Sequence, residues 1–467
     1  MVFFVKALGS KTIGFLIVRP IVFVVVPLCA APPIFRQAAC MSYLILLLFC
    51  LAIALALFLN LSLLWALGAG YLLFFGYALS RGKSFRDLAD VSLDGAKTVF
   101  QICSTLLCIG MLTGSWRASG TIAYLVDFAL GTITPDIFLP CIFLCNCAIS
   151  FLLGSAFATG ATMGVISMSV ANALSFSPLL TGAAILSGCY FGDRCSPMST
   201  SLLLINTLCR TAYHRMMRPL FKSAALAFVL TLALYALFSL SGHAEGEIPD
   251  TGALFALEYK MSWILAVPAV LVLVLAFLHI HVRNAVLIST AAAVLLCLFE
   301  QGQGGMDLAW SLIAGFSAQH QEVGRLMNGG GIVSMAEVVG IVLISSTYAG
   351  LFKAGGLLGG QEHFVQRLAA KNKFLAYLCS GLVSSAIACN QTLAIMLTNQ
   401  LTGSLAEDKE RHALDMADSV MLLAAVIPWS IASTVPLAMS GAPLSCIPLA
   451  FYLWLPAVIR LWYTPKM

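Results

Sequence analysis

A chain of 467 residues that is 60% hydrophobic and only 10% charged, with a mean hydropathy of +0.97, lies far from the roughly one-quarter charged composition of soluble domains. It reads as an all-α polytopic membrane protein without a soluble domain, its natural partner the lipid bilayer. The net charge is only +5 and the basic residues gather in short loops, which excludes a nucleic-acid binder.

Residues 1–40 carry Lys6, Lys11 and Arg19 ahead of the run IVFVVVPLCAA, a signal-peptide-like pattern. A strong pair of spans follows at once, so 1–40 reads as an N-terminal extension or extra hydrophobic segment, or as sequence upstream of a true start at Met41. The uncharged run 41–80 suits two spans turning near Asn60. The segment 81–97, RGKSFRDLADVSLDGAK, is basic, amphipathic and expected on the cytoplasmic side. Apolar segments follow at about 98–115, 120–133 and 137–153, then a glycine-interrupted block at 156–208. A basic loop at 210–222 and a clear span at 223–241 come next. The acidic stretch 242–260 is expected outside, followed by spans at about 262–280 and 284–300 and a Gly- and Gln-rich segment at 301–330. Segments at about 332–352, 374–402, 418–440 and 443–462 complete roughly 11–13 membrane segments, some of them half-helices. Most of the fifteen cysteines sit inside these runs and act there as small hydrophobes. The densest group, Cys141, Cys145 and Cys147, has no CxxC pair or nearby His and carries no metal-site spacing.

The most informative stretch is SGCYFGDRCSPMSTS, residues 187–201. Asp193 and Arg194, flanked by Gly188, Gly192 and Pro197, fall where an unbroken membrane helix is expected. A charge at the bilayer centre costs roughly 2.5–3.5 kcal/mol even on the lenient scales. Gly and Pro also break helices and free backbone groups that need partners. Such a combination marks a polar site at membrane depth. Asp193 with the hydroxyls of Ser196, Ser199, Thr200 and Ser201 offers the hard oxygens a small hard cation needs. A desolvated carboxyl also holds a proton readily, so one acid can serve Na⁺ and H⁺ alternately. The bland alternatives are that Asp193 neutralises Arg194, or that it caps a helix starting at Ser196 with Pro197 in its first turn.

A second polar knot holds Asn390, Gln391 and Thr392, whose oxygens can complete a cation shell, hold an organic substrate or simply bond between helices. GSAFATGATMG (154–164) permits close packing or local unwinding, with Ser155, Thr159 and Thr162 as its potential ligands. Asp127 and Glu337 are acids in apolar surroundings and qualify as site candidates on that ground. Trp116 and Trp429 sit beside turns; interfacial belt positions are their plainer reading, cavity gates the sharper one. The knots at 185–199 and 382–396 echo each other across two halves of opposite orientation. Inverted repeats with broken helices or re-entrant hairpins are the pattern of a secondary transporter with a site at mid-membrane. The division is then 1–40; 41–96, two membrane helices and a cytoplasmic amphipathic segment; 97–241, a first repeat; 242–330, a linker with two membrane helices; and 331–467, a second repeat. HExxH, GxSxG and clustered His–Asp sets do not occur, so enzyme chemistry lacks its parts.

The string SGCYFGDRCSPMS closely resembles the signature of the NhaC family of Na⁺/H⁺ antiporters, within the wider ion-transporter superfamily. GSWRASGT (114–121), GSAFATGATMG (154–164), GGGIVSM (329–335), CNQ (389–391) and IPW (427–429) support the resemblance, in the family's order over about 95–460. It implies Na⁺/H⁺ exchange by alternating access in the cytoplasmic (inner) membrane of a bacterium. Asp193 would be the family's signature acid, with Ser196 and Ser199 beside it. The sequence departs from the pattern at Thr200 and Asn390, where the family usually or often carries acids, which puts the proton stoichiometry in question. Relatives that exchange malate and lactate, or that carry amino acids, make a small carboxylate or amino acid the alternative substrate, with Arg194 pairing a substrate carboxylate or orienting Asp193. No cofactor is expected, since an ion gradient supplies the driving force; a homo-oligomer is compatible with all of this.

Overall fold

A computed structural model of the chain describes residues 61–131, 134–241, 251–278, 280–355 and 361–462, with scattered positions between 44 and 59. The extension 1–40, the turn near Asn60 and residues 242–250 of the acidic stretch lie outside the described residues. Among those described, the fold is helical, and its one strand-like feature is an antiparallel bridge between Phe316 and Gly329.

Among the described residues, five helices are long and apolar enough to cross a membrane: Leu63–Ser80, Tyr213–Leu240, Val282–Phe299, Ile332–Phe352 and Leu444–Trp462. The number is seven if each of two bent pairs counts as one span. These are Phe85–Thr98 with Phe100–Ala118, bent by 46°, and Lys409–Val426 with Ile431–Ser440, bent by 58°. The remaining apolar segments expected from the sequence include shorter helices such as Phe138–Leu153, Thr200–Cys209 and Lys373–Ala388. The ten-residue Thr200–Cys209 rises only about 15 Å, half of a roughly 30 Å hydrocarbon core, and the two 16-residue helices rise about 24 Å, so all three fall short of a full span. The basic segment 81–97 forms the amphipathic helix Phe85–Thr98, capped by the Ser84 hydroxyl and buried through Leu88 and Ser92.

Four interruptions organise the membrane core, two in each half of the chain. Phe138–Leu153 ends at Gly154, and a new helix starts behind the N-cap Ser155. Lys373–Ala388 ends at Cys389, and a new helix starts behind Asn390. Gly154 and Cys389 are both left-handed, with φ of 63° and 53°, and both N–H groups reach back four residues to a serine carbonyl, Ser150 and Ser385. The other two interruptions are Ser196–Pro197–Met198–Ser199 and Ile427–Pro428–Trp429–Ser430. In each, the first residue is extended, proline follows, and the fourth N–H bonds the first carbonyl at 3.3 Å and 3.0 Å. Each then restarts a helix under a serine cap, Ser199 accepting from Leu202 N–H and Ser430 from Ala432 N–H. Proline fixes φ and lacks an N–H, while capping oxygens satisfy the orphan donors of the new helix. The echo read from the sequence joined 185–199 to 382–396. The backbone instead joins 154–155 to 389–390 and 196–199 to 427–430, because a break repeats through its caps and turn rather than through its polar content.

Small residues hold the interrupted helices together. A Cβ on Gly192 would lie 2.2 Å from the Ser150 carbonyl carbon, and one on Gly188 would lie 2.6 Å from Asn146 Cβ. Helix Pro178–Cys195 thus meets Phe138–Leu153 backbone to backbone, the close approach that small residues allow in membranes. Gly154 touches Met198 in the same way, and Gly160, at the start of a π turn (Gly160–Gly164), touches Pro436. Ile431 N–H donates to the Cys389 carbonyl at 2.8 Å, and Tyr190 Oη donates to that of Ala432 at 2.7 Å. All four breaks are therefore packed into one centre.

Segment 301–330 folds as two short helices, Gly305–Ile313 and Gln321–Met327, and docks on Phe100–Ala118. The GSWRASGT motif serves that docking. A Cβ on Gly114 would lie 2.3 Å from the Ser311 carbonyl oxygen. Arg117 Nη1 donates to the carbonyl of Met327 at 3.0 Å, while Trp116 Nε1 ties the same helix to Val282–Phe299 through Ser289 Oγ at 3.0 Å.

Candidate functional site

Asp193 lies in the last turn of Pro178–Cys195, just before the Ser196 break, and is 4% exposed. Its Oδ1 accepts from Ser199 Oγ at 2.9 Å and its Oδ2 from Gln391 Nε2 at 3.3 Å. Ser199 is at the same time the N-cap of Thr200–Cys209, and Gln391 is the first residue of the helix behind Asn390. Two helix starts, from different halves of the chain, therefore meet one carboxylate, and the partial positive charge at such ends favours an anion there. The Gln391 amide is oriented by a second donation to the Met421 carbonyl at 2.9 Å, and its Oε1 accepts from Ser201 Oγ at 3.1 Å. Asp193, Ser199, Gln391 and Ser201 form a compact set of oxygens of the kind a hard cation uses. The donors that hold Asp193 are neutral.

The other sequence candidates fall around this centre in distinct ways. Ser196 is buried and accepts from Met198 N–H at 3.1 Å, shaping the turn. Thr200 and Pro197 are exposed, and Ser201 is the hydroxyl that meets Gln391. Asn390 is half-buried and caps its helix through Thr392 N–H. Ser155 caps the helix at Ala156, while Thr159 and Thr162 donate to the Ser155 and Ala158 carbonyls at 2.9 Å and 2.8 Å. Asp127 is half-buried on Thr121–Leu130. Glu337 is exposed and accepts from the Ser62 hydroxyl. Trp116 and Trp429 are both buried, which overturns their reading as interfacial belt residues. Trp429 donates its indole N–H to the Ala386 carbonyl at 2.9 Å and packs edge-on against Phe49, so it braces the two breaks of the second half.

Arg194 overturns both bland readings of the motif. It does not pair with Asp193, and no helix starts at Ser196. The fully buried Arg194 guanidinium forms an ion pair with Asp418, and donates to Ser223 Oγ at 2.6 Å and the Leu220 carbonyl at 3.1 Å. Asp418 also faces Arg460 Nε at 3.1 Å, and Arg460 pairs with Asp415, which Arg411 approaches at 3.5 Å. Adjacent residues on a helix point about 100° apart, which sends Asp193 to the breaks and Arg194 toward Tyr213–Ser241 and Lys409–Asp418. Asp415, Asp418 and Arg460 were not singled out in the sequence; ERHALDMAD at 410–418 falls almost wholly between the apolar segments expected at about 374–402 and 418–440. The available signal was Arg460 inside the otherwise apolar run 443–462.

The chain is similar in sequence to known antiporters. The chain is 24% identical over 387 residues to the Na⁺/H⁺ antiporter NhaC of Alkalihalophilus pseudofirmus, covering 79% of this chain and 83% of that protein. It is 25% identical over 402 residues to the malate-2H⁺/Na⁺-lactate antiporter of Bacillus subtilis, covering 81% and 84%. It is 24% identical over 409 residues to the arginine/ornithine antiporter ArcD of Halobacterium salinarum, covering 84% and 83%. The model of the Na⁺/H⁺ antiporter family matches residues 26–209 and again 188–464. The protein is a multi-pass membrane transporter rather than an enzyme, and it belongs to the Na⁺/H⁺ antiporter family.

Proposed function

We propose that the protein exchanges Na⁺ for H⁺ by alternating access, with Asp193 as the shared carrier of the two ions. One observation carries this reading: a buried carboxylate held by neutral donors at the meeting point of two interrupted helices, one from each half. Na⁺ bound there takes oxygens from Asp193, Ser199, Gln391 and Ser201, and a proton on Asp193 removes the charge that attracts it. The two ions exclude one another because they use the same oxygen, so the loading of one displaces the other. Ser196, Asn390 and the 154–164 stretch support the site by shaping the breaks around it. The resemblance to the NhaC signature supports placing the protein in the cytoplasmic membrane of a bacterium.

The malate–lactate relative supports a second reading, a Na⁺- or H⁺-coupled exchanger of a small organic acid or amino acid. A carboxylate substrate held by Arg194 needs that guanidinium free, and its commitment to Asp418 and Ser223 weighs against it. The decisive experiment is Na⁺-driven proton movement in proteoliposomes holding the purified protein and no organic substrate. Na⁺-dependent collapse of an imposed pH gradient, lost at least a hundredfold in Asp193→Asn that still inserts, is the expected result. Exchange at the wild-type rate in Asp193→Asn overturns the site. Silence in correctly inserted wild-type protein turns the choice to the second reading, tested by Na⁺-dependent uptake of carboxylates and amino acids.

A further inference from the structure

Asp193 and Arg194 are neighbours in the chain, both buried, and opposite in charge, yet they are not paired. In a poorly polarisable interior an unpaired cation next to a carboxylate binds it strongly. A guanidinium resting on Asp193 would occupy the oxygens that Na⁺ and H⁺ must share. The site is open because the guanidinium is held elsewhere, and the group holding it is Asp418, at the end of Lys409–Asp418. Ser223 Oγ and the Leu220 carbonyl, both on Tyr213–Ser241, complete the clamp. Asp418 is itself kept in place by Arg460 on the C-terminal helix Phe451–Trp462, which Asp415 and the face of the Phe374 ring hold in turn. Three separate elements are thus spent on drawing one cation away from the motif acid.

We propose that Asp418 is a positioning residue for transport: it sequesters the charge of Arg194 and so leaves Asp193 available to ions. This rests on the reading of Asp193 as the ion site. The role makes a specific demand. Removing Asp418 alone should leave a buried positive charge beside the site, and the apparent affinity for Na⁺ should fall whether the guanidinium swings onto Asp193 or repels Na⁺ from where it is. Removing Arg194 and Asp418 together takes out both members of the pair, leaves Arg460 with Asp415, and should restore the affinity. An ion pair that only glued helices would not show this pattern: its loss would lower the amount of folded protein and the maximal rate, and the double substitution would not repair the KM.

The test measures Na⁺-driven proton movement in proteoliposomes for wild type, Asp418→Asn, Asp418→Glu and the double variant Arg194→Gln/Asp418→Asn, with Na⁺ protection against heat in detergent as a readout independent of transport. We expect Asp418→Asn to raise the apparent KM for Na⁺ at least tenfold with a maximal rate within threefold per folded molecule. Asp418→Glu, which keeps the charge, and the double variant should return to within threefold of the wild-type KM. An unmoved KM in Asp418→Asn, or a double variant as weak as the single one, overturns the inference. If Asp418→Asn does not fold, the double variant decides, since a folded double variant with a tenfold raised KM also overturns it. A wild-type protein that shows neither exchange nor Na⁺ protection takes down the ion-site reading and this inference with it. A wild-type response with an unmoved Asp418→Asn overturns the inference alone.

Discussion

The two halves of this chain make the same pair of breaks and load them differently. Gly154–Ser155 and Cys389–Asn390 share a left-handed residue followed by an extended cap. Ser196–Pro197–Met198–Ser199 and Ile427–Pro428–Trp429–Ser430 share a proline turn closed by a serine cap. The chemistry is not shared. Three residues before Ser196 stands Asp193, and three before Ile427 stands Ala424; the partner of Arg194 by the same count is Ala425. The amide that meets Asp193 is Gln391, at the first helical position of its half, where the other half has Ala156. A break is a backbone device, written in caps, proline and left-handed residues. What it binds is written separately, in one or two side chains, and here the acid comes from one half and the amide from the other.

Substitutions at matched positions sharpen this comparison. The largest effect is expected at Gly154. It needs φ of 63°, and a Cβ there would lie 2.5 Å from the Met198 carbonyl carbon. Gly154→Ala should cost about 1–3 kcal/mol from overpacking alone, with the left-handed strain added. Thermal unfolding in detergent measures this, and a melting temperature unchanged within error would show that the close contact relaxes freely. Next come the two serine caps. Ser199→Ala and Ser430→Ala should each cost about 1 kcal/mol of stability for the lost cap, and Ser199→Ala loses in addition the buried hydrogen bond to Asp193. Only Ser199→Ala should also raise the apparent KM for Na⁺, because only Ser199 touches the acid. Parallel changes in KM for both would break the distinction between backbone device and bound chemistry. The smallest effect is expected at Cys389. It holds a left-handed conformation that glycine adopts without strain, so Cys389→Gly should change stability by less than about 1 kcal/mol, relief of strain offsetting lost packing. A loss of several kcal/mol would mean that the Cys389 side chain, and not its backbone, defines that break.

Much of the candidate site was legible in the sequence. Asp193 declared itself as a charge among glycines and a proline in a hydrocarbon run, and Asn390–Gln391 as a polar knot in a second one. The reasons are local: burying charge and breaking a helix are both costly in a bilayer, so their coincidence is informative wherever it occurs. The expectations that failed depend on where a side chain points. Arg194 looked like the partner of Asp193 because the two are adjacent, and helical geometry sends them to different neighbours. Trp116 and Trp429 looked interfacial because turns flank them, and both are buried in contacts with distant helices. Asp415 and Asp418 drew no reading, because nothing near them in sequence needs a carboxylate; Arg194 and Arg460, 224 and 45 residues away from their partners, do.

The sequence by itself determined that this is a helical membrane transporter with breaks at proline, glycine and polar cap residues, because backbone satisfaction in lipid is decided within a few residues. Only the tertiary structure decided which break pairs with which, which oxygens face Asp193, and which carboxylate holds Arg194. Those choices rest largely on contacts between segments tens to hundreds of residues apart, and a chain read one window at a time carries no record of them.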